Sequence, residues 1–222
     1  MKSLLRCATC AVLITCYSSL ITSCATDAYD KGEGDYSQMQ AEMALVYVDK
    51  DLVATSFVTD DGEKLTTAPP FKSSWMTTPD STYRAVTYFS KKAGGMAEVK
   101  GLTRVAVTPP KRQKDLKTDP VRFESAWTSC GGKYLNASIY LMLGSTSDDK
   151  AIHTLGCHID TLQRNDDGTK TMQLTLYHDQ GGVPEYYSQR TYVSIPLDNA
   201  TADSVRLTIH TYDGIVRKTF KR

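Results

Sequence analysis

From Tyr134 to Leu143 the chain alternates strictly. Leu135, Ala137, Ile139, Leu141 and Leu143 fall on one face, and Tyr134, Asn136, Ser138, Tyr140 and Met142 on the other. A period of two residues belongs to a strand with one buried face, because a helix scatters such a pattern around its axis. The period recurs downstream: Leu155, Cys157 and Ile159 oppose His158 and Asp160, and Met172, Leu174, Leu176 and His178 share a face. So do Val193, Ile195 and Leu197, and Val205, Leu207 and Ile209. Val121 to Trp127 precedes this set and Ile215 to Phe220 follows it, so about seven strands are expected. Repeated apolar-in, polar-out alternation predicts an antiparallel β-sandwich over residues 120–222.

The preceding stretch is also β-rich, in shorter pieces. Leu45 to Val48 and Val53 to Val58 flank the polar turn Asp49-Lys50-Asp51, and Asp60-Asp61-Gly62 signals a hairpin into Lys64-Leu65-Thr66. Tyr83 to Ser90 is a further strand, and Gly94-Gly95 interrupts the chain before the segments ending at Val107. About five strands are expected over residues 41–108, with no convincing helix, so the chain is read as all-β. Thr108 to Pro120 is bracketed by prolines and holds Lys111, Arg112, Lys114 and Lys117. Such a run cannot be a central strand, and residues 109–119 are expected to be a solvated linker, a basic binding loop being the alternative.

The N-terminus carries an address. Lys2 and Arg6 precede an uncharged, apolar run from Cys7 to Leu20, and Ile21-Thr22-Ser23-Cys24 has the form of a lipobox. Residues 1–23 are therefore read as a lipoprotein signal peptide and Cys24 as the lipidated residue. Residues 24–40, which include Asp27, Asp30, Glu33 and Asp35, are read as an acidic, flexible tether. The expected location is the cell envelope, at the outer membrane, with the acyl chains as the membrane contact. Loss of Lys2 and Arg6 turns 26 basic residues into 24 against 25 acidic ones, and a near-neutral chain argues against a nucleic-acid partner.

No catalytic arrangement is read in the sequence. There is no G-x-S-x-G elbow, and Asp148-Asp149 and Asp166-Asp167 lie in turn-like sequence. His158 and Asp160 share a strand face but lack a third ligand at short spacing, so neither a metal nor any other cofactor is expected. After the signal is removed and Cys24 is lipidated, Cys130 and Cys157 remain. They are candidates for a disulfide in an oxidising envelope, or two unpaired thiols. Aromatic residues offer more for binding. Trp75, in the proline-flanked stretch Pro70 to Pro79, is a candidate to stack on a sugar or touch a protein; the competing reading makes it a plug in the barrel end. Tyr186 and Tyr187 are a second candidate pair.

The lipobox, the tether, the five-strand unit and the linker ending Asp119-Pro120 resemble the NigD-like lipoproteins. So do the strand Tyr134-Leu135-Asn136, the turn Tyr177-His178-Asp179-Gln180-Gly181-Gly182 and the strand Val193-Ser194-Ile195-Pro196-Leu197. These are envelope proteins of one phylum of mostly anaerobic Gram-negative bacteria. This chain departs from the pattern at Asp179, where asparagine is common, and in having Cys130 and Cys157. The resemblance implies an N-terminal OB-like five-stranded barrel and a C-terminal β-sandwich. It defines no catalytic residues. The expectation is a non-catalytic binding or accessory module whose ligand is an unknown protein or glycan. The family's bacteriocin-linked gene context adds an immunity-type role as an alternative, and a structural subunit of an envelope complex is another.

Overall fold

In the computed structural model, described here for residues 37–197 and 201–222, the first five strands close on themselves. They are β1 (Gln40–Val48), β2 (Ala54–Thr59), β3 (Lys64–Phe71), β4 (Ser81–Lys92) and β5 (Met96–Arg104). Their order round the barrel is β1-β2-β3-β5-β4, with β3 and β5 parallel and every other neighbouring pair antiparallel. This is the five-stranded OB-like barrel that the sequence led us to expect. Alternate residues of β1 (Ala44, Val46, Val48) meet Ala85 and Phe89 of β4, Phe57 and Leu65 in the lumen. Phe57 and Phe89 meet edge to face, with ring centroids 5.0 Å apart. The signal peptide, Cys24 and most of the tether lie outside the described residues.

Strand β4 is buried on both faces through its middle, from Arg84 to Thr87. One face fills the barrel. The other, with Arg84 and Val86, packs on a second body. That body is a sandwich of two sheets. One sheet has the order β6-β12-β9-β8 and the other β14-β13-β11-β10-β7. The strands are β6 (Ala106–Val107), β7 (Pro110–Lys111), β8 (Arg122–Thr128), β9 (Tyr134–Leu143), β10 (Thr154–Arg164), β11 (Lys170–Asp179), β12 (Tyr187–Pro196), β13 (Ser204–Thr211) and β14 (Gly214–Lys221). The inward residues that the alternation picks out form the core. Leu135, Ala137, Ile139, Cys157, Leu174, Val193, Ile195, Val205, Leu207 and Ile209 are all completely buried.

Two features depart from expectation. The sandwich is not wholly antiparallel, because β13 runs parallel to β11. From β11 the chain crosses to β12 in the other sheet and then crosses back. Two crossings restore the original direction. The segment joining the two bodies also enters the sheets: β6, within the residues read as barrel, adds parallel to β12, and β7, within the expected linker, adds parallel to β10. Pro110 is tolerated in β7 because β7 is an edge strand. The main chain of Gln113 then donates to His158 Nδ1 at 2.8 Å, which pins the segment further along.

Candidate functional site: the cleft between barrel and sandwich

Barrel and sandwich meet on the outer face of the β6-β12-β9-β8 sheet. Because β9 and β12 turn Leu135, Ala137, Val193 and Ile195 inward, Tyr134, Asn136, Tyr192 and Ser194 must face out. The barrel covers them with Met43, Val86 and Arg84, and Met43, Val86 and Val105 pack with Trp127 and Tyr192. Arg84 is the organiser. Its guanidinium pairs with Asp60 at 2.5 Å and donates to Asn136 Oδ1 at 3.2 Å and to Ser194 Oγ at 3.1 Å. It lies 4.4 Å from the centroid of the Tyr134 ring. Asn136 Nδ2 donates to Asp60 Oδ2 at 2.8 Å, and Ser194 Oγ donates to Asn136 Oδ1 at 2.7 Å. A buried charge is tolerable only with such partners. Two of the motifs behind the resemblance, Tyr134-Leu135-Asn136 and the strand containing Ser194, thus supply the sandwich half of this lock.

The other two motifs interlock with each other. Asp119 Oδ2 accepts from the Gln180 main chain at 2.7 Å, and the Asp119 carbonyl accepts from His178 Nδ1 at 2.9 Å. Gly181 has φ +60°, and a Cβ there would lie 2.2 Å from the Ile152 carbonyl oxygen, so the turn requires glycine. His178 is fully buried, and donation from its Nδ1 leaves Nε2 as an acceptor for His153 Nδ1, 3.0 Å away. His153 Nε2 in turn lies 3.0 Å from the Met142 carbonyl. Carbonyls stand at both ends, so the three contacts are all filled only when the pair holds one proton beyond neutrality. Burial first, and the His178 ring second, hold His153 below the ordinary histidine value against the pull of Met142 and Glu185.

Beside the lock a cleft of about 580 Å³ opens between the two bodies. Its walls include Trp75 from the β3–β4 connection, Tyr83 on β4, Arg104 at the end of β5, Thr108 after β6, His153 and Thr191. Trp75 packs edge to face on Tyr83, with centroids 5.6 Å apart, and also borders the barrel core. Trp75 therefore packs on the barrel core and lines the cleft at the same position. The Thr78 amide donates to the Tyr83 hydroxyl at 2.6 Å. Hydrogen bonding from Thr78, above all, brings that hydroxyl down to about 8. Arg104 is exposed and has no carboxylate partner among the described residues. Thr108 is 6% exposed, and its hydroxyl has no hydrogen-bond partner among the described residues.

The remaining candidates lie elsewhere. Tyr186 and Tyr187 are 76% and 56% exposed, and neither lines the cleft. Cys157 is a free, fully buried thiol, and the side chain of Cys130, the other member of the candidate pair, lies outside what is described. Burial, above all, pushes the Cys157 thiol up to about 12, which removes it as a nucleophile. His158 and Asp160 stand 3.8 Å apart, but Asp160 accepts from Thr175 and His158 from Gln113, and the described residues contain no group of three ligands that could hold a metal. Sequence reasoning missed Arg84, Asp60, Arg104, Thr108 and the role of His153. A lone arginine inside the apolar run from Tyr83 to Ser90 was the one available signal.

Comparison with known proteins places this architecture. The chain is similar to the crystal structure of a NigD-like immunity protein from Bacteroides caccae, at 24% identity and TM-score 0.63, covering 81% of this chain and 91% of that one. It is also similar to a protein of unknown function from Bacteroides vulgatus, at 20% identity and TM-score 0.62, covering 83% and 90% respectively. At these identities the likeness is one of fold. No curated protein sequence matches the chain. Residues 104–221 match the NigD-like C-terminal beta sandwich domain, a span that begins before β6 and so takes in both edge strands of the connecting segment. The chain belongs to the NigD-like family.

Proposed function

We propose that this protein is a non-catalytic binding module of the cell envelope, anchored at the outer membrane through lipid on Cys24, with the cleft between barrel and sandwich as its ligand site. One observation carries the reading. The polar motif residues Asn136, Ser194, Asp119 and His178 bond to other parts of the fold, while in the cleft Arg104 has no carboxylate partner and the Thr108 hydroxyl no hydrogen-bond partner among the described residues. Residues used in this way fix a cleft and leave Arg104 and the Thr108 hydroxyl in its lining uncommitted among the described residues. The volume lies within the ~300–1,000 Å³ common to small-molecule sites. The lipobox at Ile21 to Cys24 supports the anchor, and the acidic stretch after it supports a tether that lifts the folded body off the lipid surface. Fractionation of cells carrying the native chain or Cys24→Ala tests the anchor. The native chain should sediment with membranes and incorporate labelled fatty acid, and the variant should do neither. Membrane association unchanged in the variant removes the anchor from the reading.

A second reading, an immunity-type role, is supported by the description of the Bacteroides caccae relative. Deletion would then sensitise cells to a bacteriocin, with no requirement for Trp75 or Arg104.

A further inference from the structure

We propose that the cleft takes an acidic saccharide, a sugar ring bearing a carboxylate; this rests on the reading of the cleft as a ligand site. Three independent features of the lining select that chemistry. The first is charge. Two arginines line the cleft, but Arg84 is neutralised by Asp60 at 2.5 Å, whereas Arg104 has no acidic partner among the described residues. A guanidinium left without a carboxylate at the rim of a concave site is suited to an anion with two coplanar oxygens.

The second feature is the unpartnered hydroxyl of Thr108. Its own amide is bonded to the Ser194 carbonyl at 3.0 Å, so the backbone position is fixed. The side-chain oxygen, by contrast, is buried without a donor or acceptor among the described residues, on a residue that lines the cleft. A buried polar atom in that state is costly unless something supplies its hydrogen bond. A χ1 rotation that turns this hydroxyl toward the cleft would let a polyhydroxylated ligand supply one, and Thr82 and Thr191 add two more hydroxyl-bearing side chains to the same lining.

The third feature is aromatic. Trp75 and Tyr83 form one wall, held edge to face, and the C–H face of a pyranose packs against such rings. A simple aliphatic carboxylate would use Arg104 and leave the threonines unsatisfied. A neutral sugar would use the threonines and leave Arg104 unpaired. Only a ligand with both a carboxylate and hydroxyls uses the whole wall. None of the lining residues comes from the β1–β2 or β4–β5 connections, so this site is separate from the face on which OB barrels commonly bind oligomers.

The test is calorimetric titration of the full chain, purified as expressed, with digalacturonate and with the neutral galactobiose of the same linkage. The Trp75 indole N–H resonance, identified with Trp75→Phe, serves as the local reporter. Digalacturonate should bind and shift that resonance, with galactobiose weaker by about ten- to hundredfold, as expected for loss of a charge-assisted contact. Arg104→Gln should reduce digalacturonate to the level of galactobiose and leave galactobiose unchanged. Thr108→Val should weaken both sugars by a similar factor without lowering the melting temperature, since the hydroxyl it removes has no partner among the described residues. Equal binding of the acid and the neutral sugar, or binding of neither, overturns the acidic class and leaves the cleft standing as a site. Binding of digalacturonate that leaves the Trp75 resonance in place and ignores both variants puts the ligand elsewhere, and the cleft falls as the ligand site.

Discussion

Two arginine clusters of nearly the same composition lie along the outer face of one sheet. In the first, Arg84 pairs with Asp60 at 2.5 Å, lies 4.4 Å over the Tyr134 ring and donates to Ser194. In the second, Arg190 pairs with Glu124 at 2.5 Å, lies 5.4 Å over the Tyr140 ring, and Glu124 accepts from Ser138. Distance does not separate them. Burial does: the side chains of Arg84 and Asp60 are 2% and 14% exposed, those of Arg190 and Glu124 47% and 34%. The barrel covers the Tyr134 end of β9 and leaves the Tyr140 end in water. The same contacts therefore act as an obligatory lock in one place and as surface decoration in the other, because water competes for one pair and is excluded from the other.

The comparison is broken most directly at Arg84. Arg84→Met leaves Asp60 without its cation and strips donors from Asn136 and Ser194. Urea denaturation should show a loss of about 3–5 kcal/mol, the scale for removing one partner of a buried pair. Adding Asp60→Asn should recover part of that loss, because the stranded charge goes with it; no recovery would mean that Asp60 is already well solvated. Asn136→Ala comes next. It leaves no ion stranded but deletes an amide that bonds Arg84, Ser194 and Asp60, so a loss of about 1–3 kcal/mol is expected in the same assay. A value near zero would show that water replaces the amide and that the seam is wetter than its burial implies.

How far this was legible in the chain differs between the regions for a physical reason. The sandwich strands could be read because each keeps one face apolar. The partial burial of β9 on its second face does not disturb the period, since Asn136 and Ser138 are polar whether they meet the barrel or water. The same ambiguity hid the lock. Asn136 looks like an outward residue, and nothing local says that Arg84, 52 positions earlier, will arrive above it. β6 and β7 are two residues each, too short to carry a period of their own, so β6 reads as the end of the last barrel strand and β7 as part of a solvated linker. Trp75 could be singled out as a loop aromatic, but the cleft around it is assembled from the barrel, the connecting segment, β12 and the start of β10, and such an assembly has no sequence spacing. The family motifs could be quoted in order, yet that Asp119 bonds to the Gln180 amide 61 positions later is a fact of folding alone.

The exposed cluster gives the smallest effect and the sharpest contrast. Arg190→Met should leave the urea midpoint within error of the native value, and any difference seen at low salt should vanish in high salt. Glu124 supplies the pH dimension. Its hydrogen bond from Ser138 first, then the Arg190 charge, hold the carboxyl below its ordinary value of 4.5. A carboxyl lowered in the folded state contributes stability above the unfolded value and loses it as pH falls through the folded one, because there the unfolded chain binds the proton first. The native chain should therefore exceed Glu124→Gln by a small, constant margin from neutral pH down to about 4.5, and the two should converge below it. Arg190→Met should leave most of that margin in place, since Ser138 is the larger cause. A margin that collapses with Arg190→Met would assign the effect to the ion pair instead, and the exposed cluster would resemble the buried one more closely than its solvation allows.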